Sequence, residues 1–105
     1  MIRLLIIEED PNTLTGLLEL LSQEGFETRG AGTGRQAIEM FRKKPDDVVL
    51  CDYRLPDKDG ISVCAELQKI RPQVKLIIIT AYIRAEIIAC AKEIGVLKSI
   101  NKPSA

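Results

Sequence analysis

Four places in the chain carry side chains whose chemistries fit together: Glu8-Glu9-Asp10, Asp52, Thr80-Ala81 and Lys102-Pro103. Clustered carboxylates repel one another unless a cation sits among them. A hard divalent ion such as Mg²⁺ takes one or two carboxylates together with phosphate oxygens and keeps part of its water. Such an ion also offsets the charge on an incoming phosphoryl group. A lysine adds a compact point charge for phosphate oxygens, and a threonine hydroxyl adds one donor. A carboxylate can itself attack phosphorus and form an acyl phosphate. Taken singly, each residue is weak evidence, because an acidic residue at the end of an element is usually a solvated loop residue or a helix cap. A Lys-Pro pair alone says less still. Their weight comes from occupying equivalent positions in the chain.

Those positions are the ends of strands. Leu4-Leu5-Ile6-Ile7, Val48-Val49-Leu50-Cys51 and Leu76-Ile77-Ile78-Ile79 are short, apolar runs without polar alternation, the pattern of strands buried on both faces of a parallel sheet. Two weaker strands are expected at Glu27 to Ala31 and Val96 to Ile100. Between them the apolar spacing turns helical. Leu14, Leu17, Leu18 and Leu21 mark a first helix, with Pro11 at its start and Gly25 as its stop. Ala37, Ile38 and Phe41 mark a second that opens near Thr33 and ends before Pro45. Ile61, Cys64, Leu67 and Ile70 line a third, ending before Pro72, and Ile83, Ile87, Cys90, Ala91 and Ile94 line a fourth, with Gly95 at its end. The order β-α-β-α-β-α-β-α-β argues for an α/β fold with a parallel sheet and right-handed crossovers. In such a doubly wound sheet, function gathers at the carboxyl ends of the strands, which is where all four groups fall.

Composition narrows the function. The 105 residues suit one domain, 46% are hydrophobic and only 4% aromatic, so the core is built from Leu, Ile, Val and Ala. Fifteen basic and fifteen acidic residues cancel, unlike the basic excess of a generic nucleic-acid binder. No apolar run approaches the ~20 residues that cross a bilayer, and the short N-terminal stretch runs straight into acidic residues, unlike a signal peptide. Cys51, Cys64 and Cys90 form no Cys-x-x-Cys pair, and without any His there is neither a zinc site of the usual kind nor a Ser-His-Asp or Cys-His centre. The expectation is reduced, semi-buried thiols in a cytoplasmic protein.

The runs Leu5-Ile6-Ile7-Glu8-Glu9-Asp10, Asp52-Tyr53-Arg54-Leu55-Pro56-Asp57-Lys58-Asp59-Gly60, Ile79-Thr80-Ala81 and Lys102-Pro103 together resemble the receiver domains of two-component response regulators, over essentially the whole chain. The resemblance implies a doubly wound, flavodoxin-like sheet of five parallel strands in the order 2-1-3-4-5. It implies that Asp52 is the phosphoacceptor. It implies Mg²⁺ as cofactor, held by Glu9 directly, by Glu8 mainly through water, by Asp52 and by the backbone carbonyl of Arg54. Thr80, Ala81 and Lys102 are the implied phosphate contacts. Thr80 is the switch hydroxyl, Lys102 the ion-pairing lysine, and Lys102-Pro103 a cis bond. Arg54 and Tyr82 lie where the family's side chains flank the phosphoryl group and tune its lifetime; here both are long enough to shield it, although both also read as plain surface residues.

Three departures stand out. The family has Asp where this chain has Glu9, one methylene longer, with Asp10 able to substitute in part. Ser99 stands where the family's switch has an aromatic or His, so the coupled movement with Thr80 cannot take its usual form. The family's fifth helix is lacking. That leaves either a fragment of a longer regulator or an oligomer covering exposed apolar surface. The partners implied are a sensor histidine kinase or phosphotransfer protein and an output domain or protein meeting the surface of helix 4 and strand 5, with no nucleic acid or membrane bound by this domain. Two alternatives remain. A pseudo-receiver would act by phosphorylation-independent contacts. A phosphohydrolase would need a second acid two residues after Asp52, where Arg54 cannot serve at neutral pH; the expectation is therefore a phosphoacceptor and not a turnover enzyme.

Overall fold

The computed structural model describes residues 1–80 and 96–101, the last six and residue 80 by their backbone. The elements are β1 (Arg3–Ile7), α1 (Pro11–Gln23), β2 (Glu27–Ala31), α2 (Gly34–Lys43), β3 (Val48–Asp52), α3 (Gly60–Ile70), β4 (Lys75–Thr80) and β5 (Val96–Asn101). The expected fourth helix, Ala81, Tyr82, Lys102 and the Lys102-Pro103 bond lie outside the described residues, as do the side chains of Thr80 and Ser99.

Each helix starts at a side-chain cap: Asp10 accepts the N–H of Thr13, Thr33 that of Gln36, and Asp59 that of Ser62. Such caps satisfy donors that the first turn leaves without a partner. All strand pairs are parallel, in the order β2-β1-β3-β4-β5. Because β1 to β2 steps one way across the sheet and the next crossovers step the other, right-handedness sends α1 to one face and α2 and α3 to the opposite one.

The two faces are sealed unequally. On the α2–α3 side, Leu5, Ile7, Val49, Cys51, Leu76 and Ile78 of the strands pack with Ala37, Ile38, Phe41, Val63, Cys64 and Leu67 in one buried cluster. On the α1 side, Leu14 and Leu18 close over Gly30 of β2, whose strand partner is Ile6. No residue of α1 is fully buried, and Leu20 is 55% exposed. The leucine seam expected from spacing faces the sheet, with Leu14, Leu17, Leu18 and Leu21 each still partly exposed. A second correction falls on α3: Val63 is fully buried, whereas Ile61 and Ile70 only flank the cluster. The helix starts at Gly60, which lies close against the end of β3. No helix among the described residues is long and apolar enough to cross a membrane.

Candidate functional site

The site grows from adjacent strand ends. Ile7 of β1 pairs with Cys51 of β3, so the residues that follow, Glu8 and Asp52, emerge side by side at the carboxyl edge. Both carboxylates are removed from water, Glu8 to 2% and Asp52 to 7% exposure. A buried carboxylate is costly unless donors or cations meet it. Glu8 Oε2 accepts the N–H of Asp10 at 3.2 Å, and Asp52 Oδ1 accepts the N–H of Arg54 at 3.3 Å. The main chain of Glu8 is fixed by its N–H to Ala31 O at 3.0 Å. The rim is therefore anchored from β2 as well.

The acidic neighbours of β1 are placed differently. Glu9 is exposed, as is Asp10. Asp10 Oδ2 accepts both the N–H and the hydroxyl of Thr13, at 2.8 and 2.7 Å. That oxygen serves the start of α1. Asp52 pairs with Ile79 of β4, so the backbone of Thr80 lies one step further along the same edge. Thr80 pairs in turn with Asn101 of β5, the residue before Lys102, and Ser99 pairs with Ile78.

The loop after Asp52 is an ordered hairpin. Arg54 bridges to Asp59, Leu55 N–H donates to Lys58 O at 3.2 Å, and Gly60 N–H donates to Tyr53 O at 2.6 Å. A Cβ on Gly60 would collide with the Asp52 carbonyl oxygen and stand 2.9 Å from Tyr53 Cα. Only glycine lets the start of α3 come this close. Beneath the site, the buried thiols of Cys51 and Cys64 interact, and that contact, followed by burial, pushes the Cys51 thiol well above the ordinary range. A thiol held protonated in this way is an inert core group.

Among the described residues, no three acidic or cysteine side chains stand together as a ready metal cluster. Mg²⁺ needs only one or two carboxylates from the protein, with other oxygens and water completing its shell. The buried pair Glu8 and Asp52 meets that need, with Arg54 held at their edge. The sequence pointed to these residues. It missed Asp59, although Asp-x-x-Ser before an apolar helix is a legible cap signal, and it missed the role of Asp57, whose partners are Gly34 and Arg35 of α2. No local pattern signals a contact between residues that far apart in the chain.

Comparison with known proteins agrees with this architecture. The family model described as "response regulator receiver domain" matches residues 4–105. Sporulation initiation phosphotransferase F of Bacillus subtilis is 33% identical over 101 residues, covering 96% of this chain and 82% of that protein. Transcriptional regulatory protein ZraR of Escherichia coli is 35% identical over 102 residues, 97% of this chain but only 23% of ZraR. The chain thus spans less than a quarter of that relative. A receiver domain structure from Methanospirillum hungatei superposes with a TM-score of 0.95 at 28% identity, covering all of this chain and 84% of that one. By the family match over nearly its whole length and by its likeness to the sporulation phosphotransferase, the chain belongs to the response regulator receiver domain family.

Proposed function

We propose that Asp52 accepts a phosphoryl group from a phosphohistidine on a sensor histidine kinase or phosphotransfer protein. The observation that carries this reading is the side-by-side burial of Asp52 and Glu8 at the carboxyl edge of the sheet. One oxygen of Asp52 attacks phosphorus in line, the P–N bond to the donor imidazole breaks, and an acyl phosphate forms. Glu8, Glu9, Asp52 and the Arg54 carbonyl are the groups that would hold Mg²⁺, which supplies counter-charge to the carboxylates and the phosphoryl oxygens. Lys102 ion-pairs with the phosphoryl group, Thr80 and Ala81 contact it, and Arg54 and Tyr82 shield it from water. The switch through Thr80 then changes affinity for an output domain or protein at the surface of the expected fourth helix and β5. On this reading the chain is a cytoplasmic phosphoacceptor, not a turnover enzyme.

A second reading, a binding module that works without phosphorylation, draws on the exposure of Glu9 and on Ser99. Intact mass after incubation with Mg²⁺ and acetyl phosphate separates the two. The parent gains one phosphoryl group and Asp52→Ala gains none; no gain on the parent overturns phosphorylation. The same mass series followed over time reads the lifetime. Decay left unchanged by both Arg54→Ala and Tyr82→Ala removes their shielding role.

A further inference from the structure

The hairpin that follows Asp52 is tethered at its tip. Asp57 sits in the turn Leu55 to Lys58, in a run of exposed residues 56–59. Its carboxylate reaches the first turn of α2, where Oδ1 accepts the N–H of Gly34 and Oδ2 the N–H of Arg35, each at 2.9 Å. Charged acceptors on backbone donors are among the stronger hydrogen bonds, and the start of a helix favours a negative charge. Thr33 takes the next donor, Gln36 N–H, at 3.1 Å. The anchor point is itself fixed: a Cβ on Gly34 would lie 2.7 Å from Val63 Cγ2, so the start of α2 rests directly on the buried side of α3.

From this anchor the chain runs back to the site in three residues. Arg54 donates its N–H to Asp52 Oδ1 and bridges to Asp59. Besides half-buried Leu55, the tip has one further tie, Lys58 Nζ donating to Glu66 Oε1 of α3 at 3.3 Å, an exposed pair of the kind that contributes little. A backbone carbonyl binds a cation well only when its position is fixed in advance, so whatever fixes Arg54 sets how much its carbonyl contributes.

We propose that Asp57 is a positioning residue for the phosphoacceptor site: by tying the 54–59 hairpin to the start of α2, it holds the Arg54 main chain in register with Asp52 and thereby sets divalent-cation affinity. This rests on the reading of Asp52 and its neighbours as a Mg²⁺-dependent phosphoacceptor. The residue acts through Arg54 and touches neither cation nor phosphoryl group.

Titration of the full chain with MgCl₂ by calorimetry tests it, on the parent, Asp57→Ala, Asp57→Asn and Thr33→Ala. The Thr33 variant is the matched control, because it removes a bond from the same helix start without touching the hairpin. Asp57→Ala raises the Kd for Mg²⁺ on the order of tenfold, the scale seen when groups supporting a metal ligand are removed. Asp57→Asn, which keeps one acceptor oxygen, falls between. Thr33→Ala lowers Tm but leaves Kd within twofold of the parent. Hydrogen exchange of amides 53–60 speeds up in Asp57→Ala and not in Thr33→Ala. An unchanged Kd in both Asp57 variants, or equal losses in Asp57→Ala and Thr33→Ala, overturns the positioning role. A parent that gives no saturable Mg²⁺ response overturns the phosphoacceptor reading instead, and this inference with it.

Discussion

At the scale of single residues, the site depends on how closely two backbones approach. Gly60 donates its N–H to Tyr53 O at 2.6 Å, and its Cα faces the carbonyl oxygen of Asp52, the residue that would accept the phosphoryl group. A methyl group there meets backbone on two sides, and neither side can rotate away. Gly60→Ala is expected to cost about 1–3 kcal/mol, the usual range for overpacking, and to push Asp52 out of line with Glu8. Urea unfolding gives the first number, and the extent of phosphorylation by acetyl phosphate gives the second. If stability falls while phosphorylation is untouched, Gly60 serves packing alone. The sequence contained part of this. Asp52, Glu8 and Gly60 were readable because their spacing matches the family's motif. That Glu8 is buried while Glu9 faces solvent was not, since both are acidic and adjacent, and only the local turn and the partner of each side chain decide between them.

At the scale of elements, strands were read to within a residue or two because buried parallel strands are unbroken apolar runs bounded by polar ones. Helix starts were equally legible at Pro11 and Thr33, where cap and first turn are local chemistry. Depth of burial was not. The seam of α1 and the inner faces of α2 and α3 look alike as sequence, with leucines and isoleucines at helical spacing. Yet Phe41 and Leu67 are fully buried, and Leu17 is not. What differs is what lies beside each helix: α2 and α3 pack against each other as well as on the sheet. The cost of truncation should follow. Leu67→Ala is expected to lose about 2–5 kcal/mol and Phe41→Ala about 3–5 kcal/mol. Leu17→Ala should lose less than half the Leu67 value, because Leu17 is partly exposed whereas Leu67 is fully buried. Chemical denaturation of the three variants checks this, and equal losses would mean that α1 carries as much of the core as its partners do.

For the molecule as a whole, the sheet has two ends doing different work. The carboxyl end gathers acidic groups, with Glu8 and Asp52 buried and Glu9 and Asp10 exposed. The amino end is where opposite charges are matched. There the loop between α2 and β3 is gripped by three arginines. Arg29 donates to the carboxylate of fully buried Asp46 and, at 2.7 Å, to Lys44 O. Arg71 donates to Asp46 O at 2.8 Å and to Asp47 Oδ1 at 3.2 Å. Arg3 donates through its side chain to Pro45 O and through its main chain to Asp47 Oδ2, the latter at 2.8 Å. Since these bonds join the starts of β1 and β3 to the end of α3, they hold the sheet's base.

Asp47 gives that brace a pH signature. The Arg3 main-chain N–H first, and then the Arg71 guanidinium, hold its carboxyl below the usual carboxylate value. A group whose pKa is lower folded than unfolded stabilises the fold above its unfolded value, about 3.9, and loses that contribution as pH falls through the folded one. Asp47→Asn keeps the shape and removes the titration. Its Tm should therefore sit below that of the parent from neutral pH down to about pH 4, and the two should converge as the pH falls further through the lowered folded-state value. Other carboxylates destabilise both proteins in that window, but they do so alike, and the difference between the two melting curves isolates Asp47. A gap that stays constant from pH 7 to the acid limit would mean that the acceptor oxygen lost in Asn, and not the charge of Asp47, accounts for the difference.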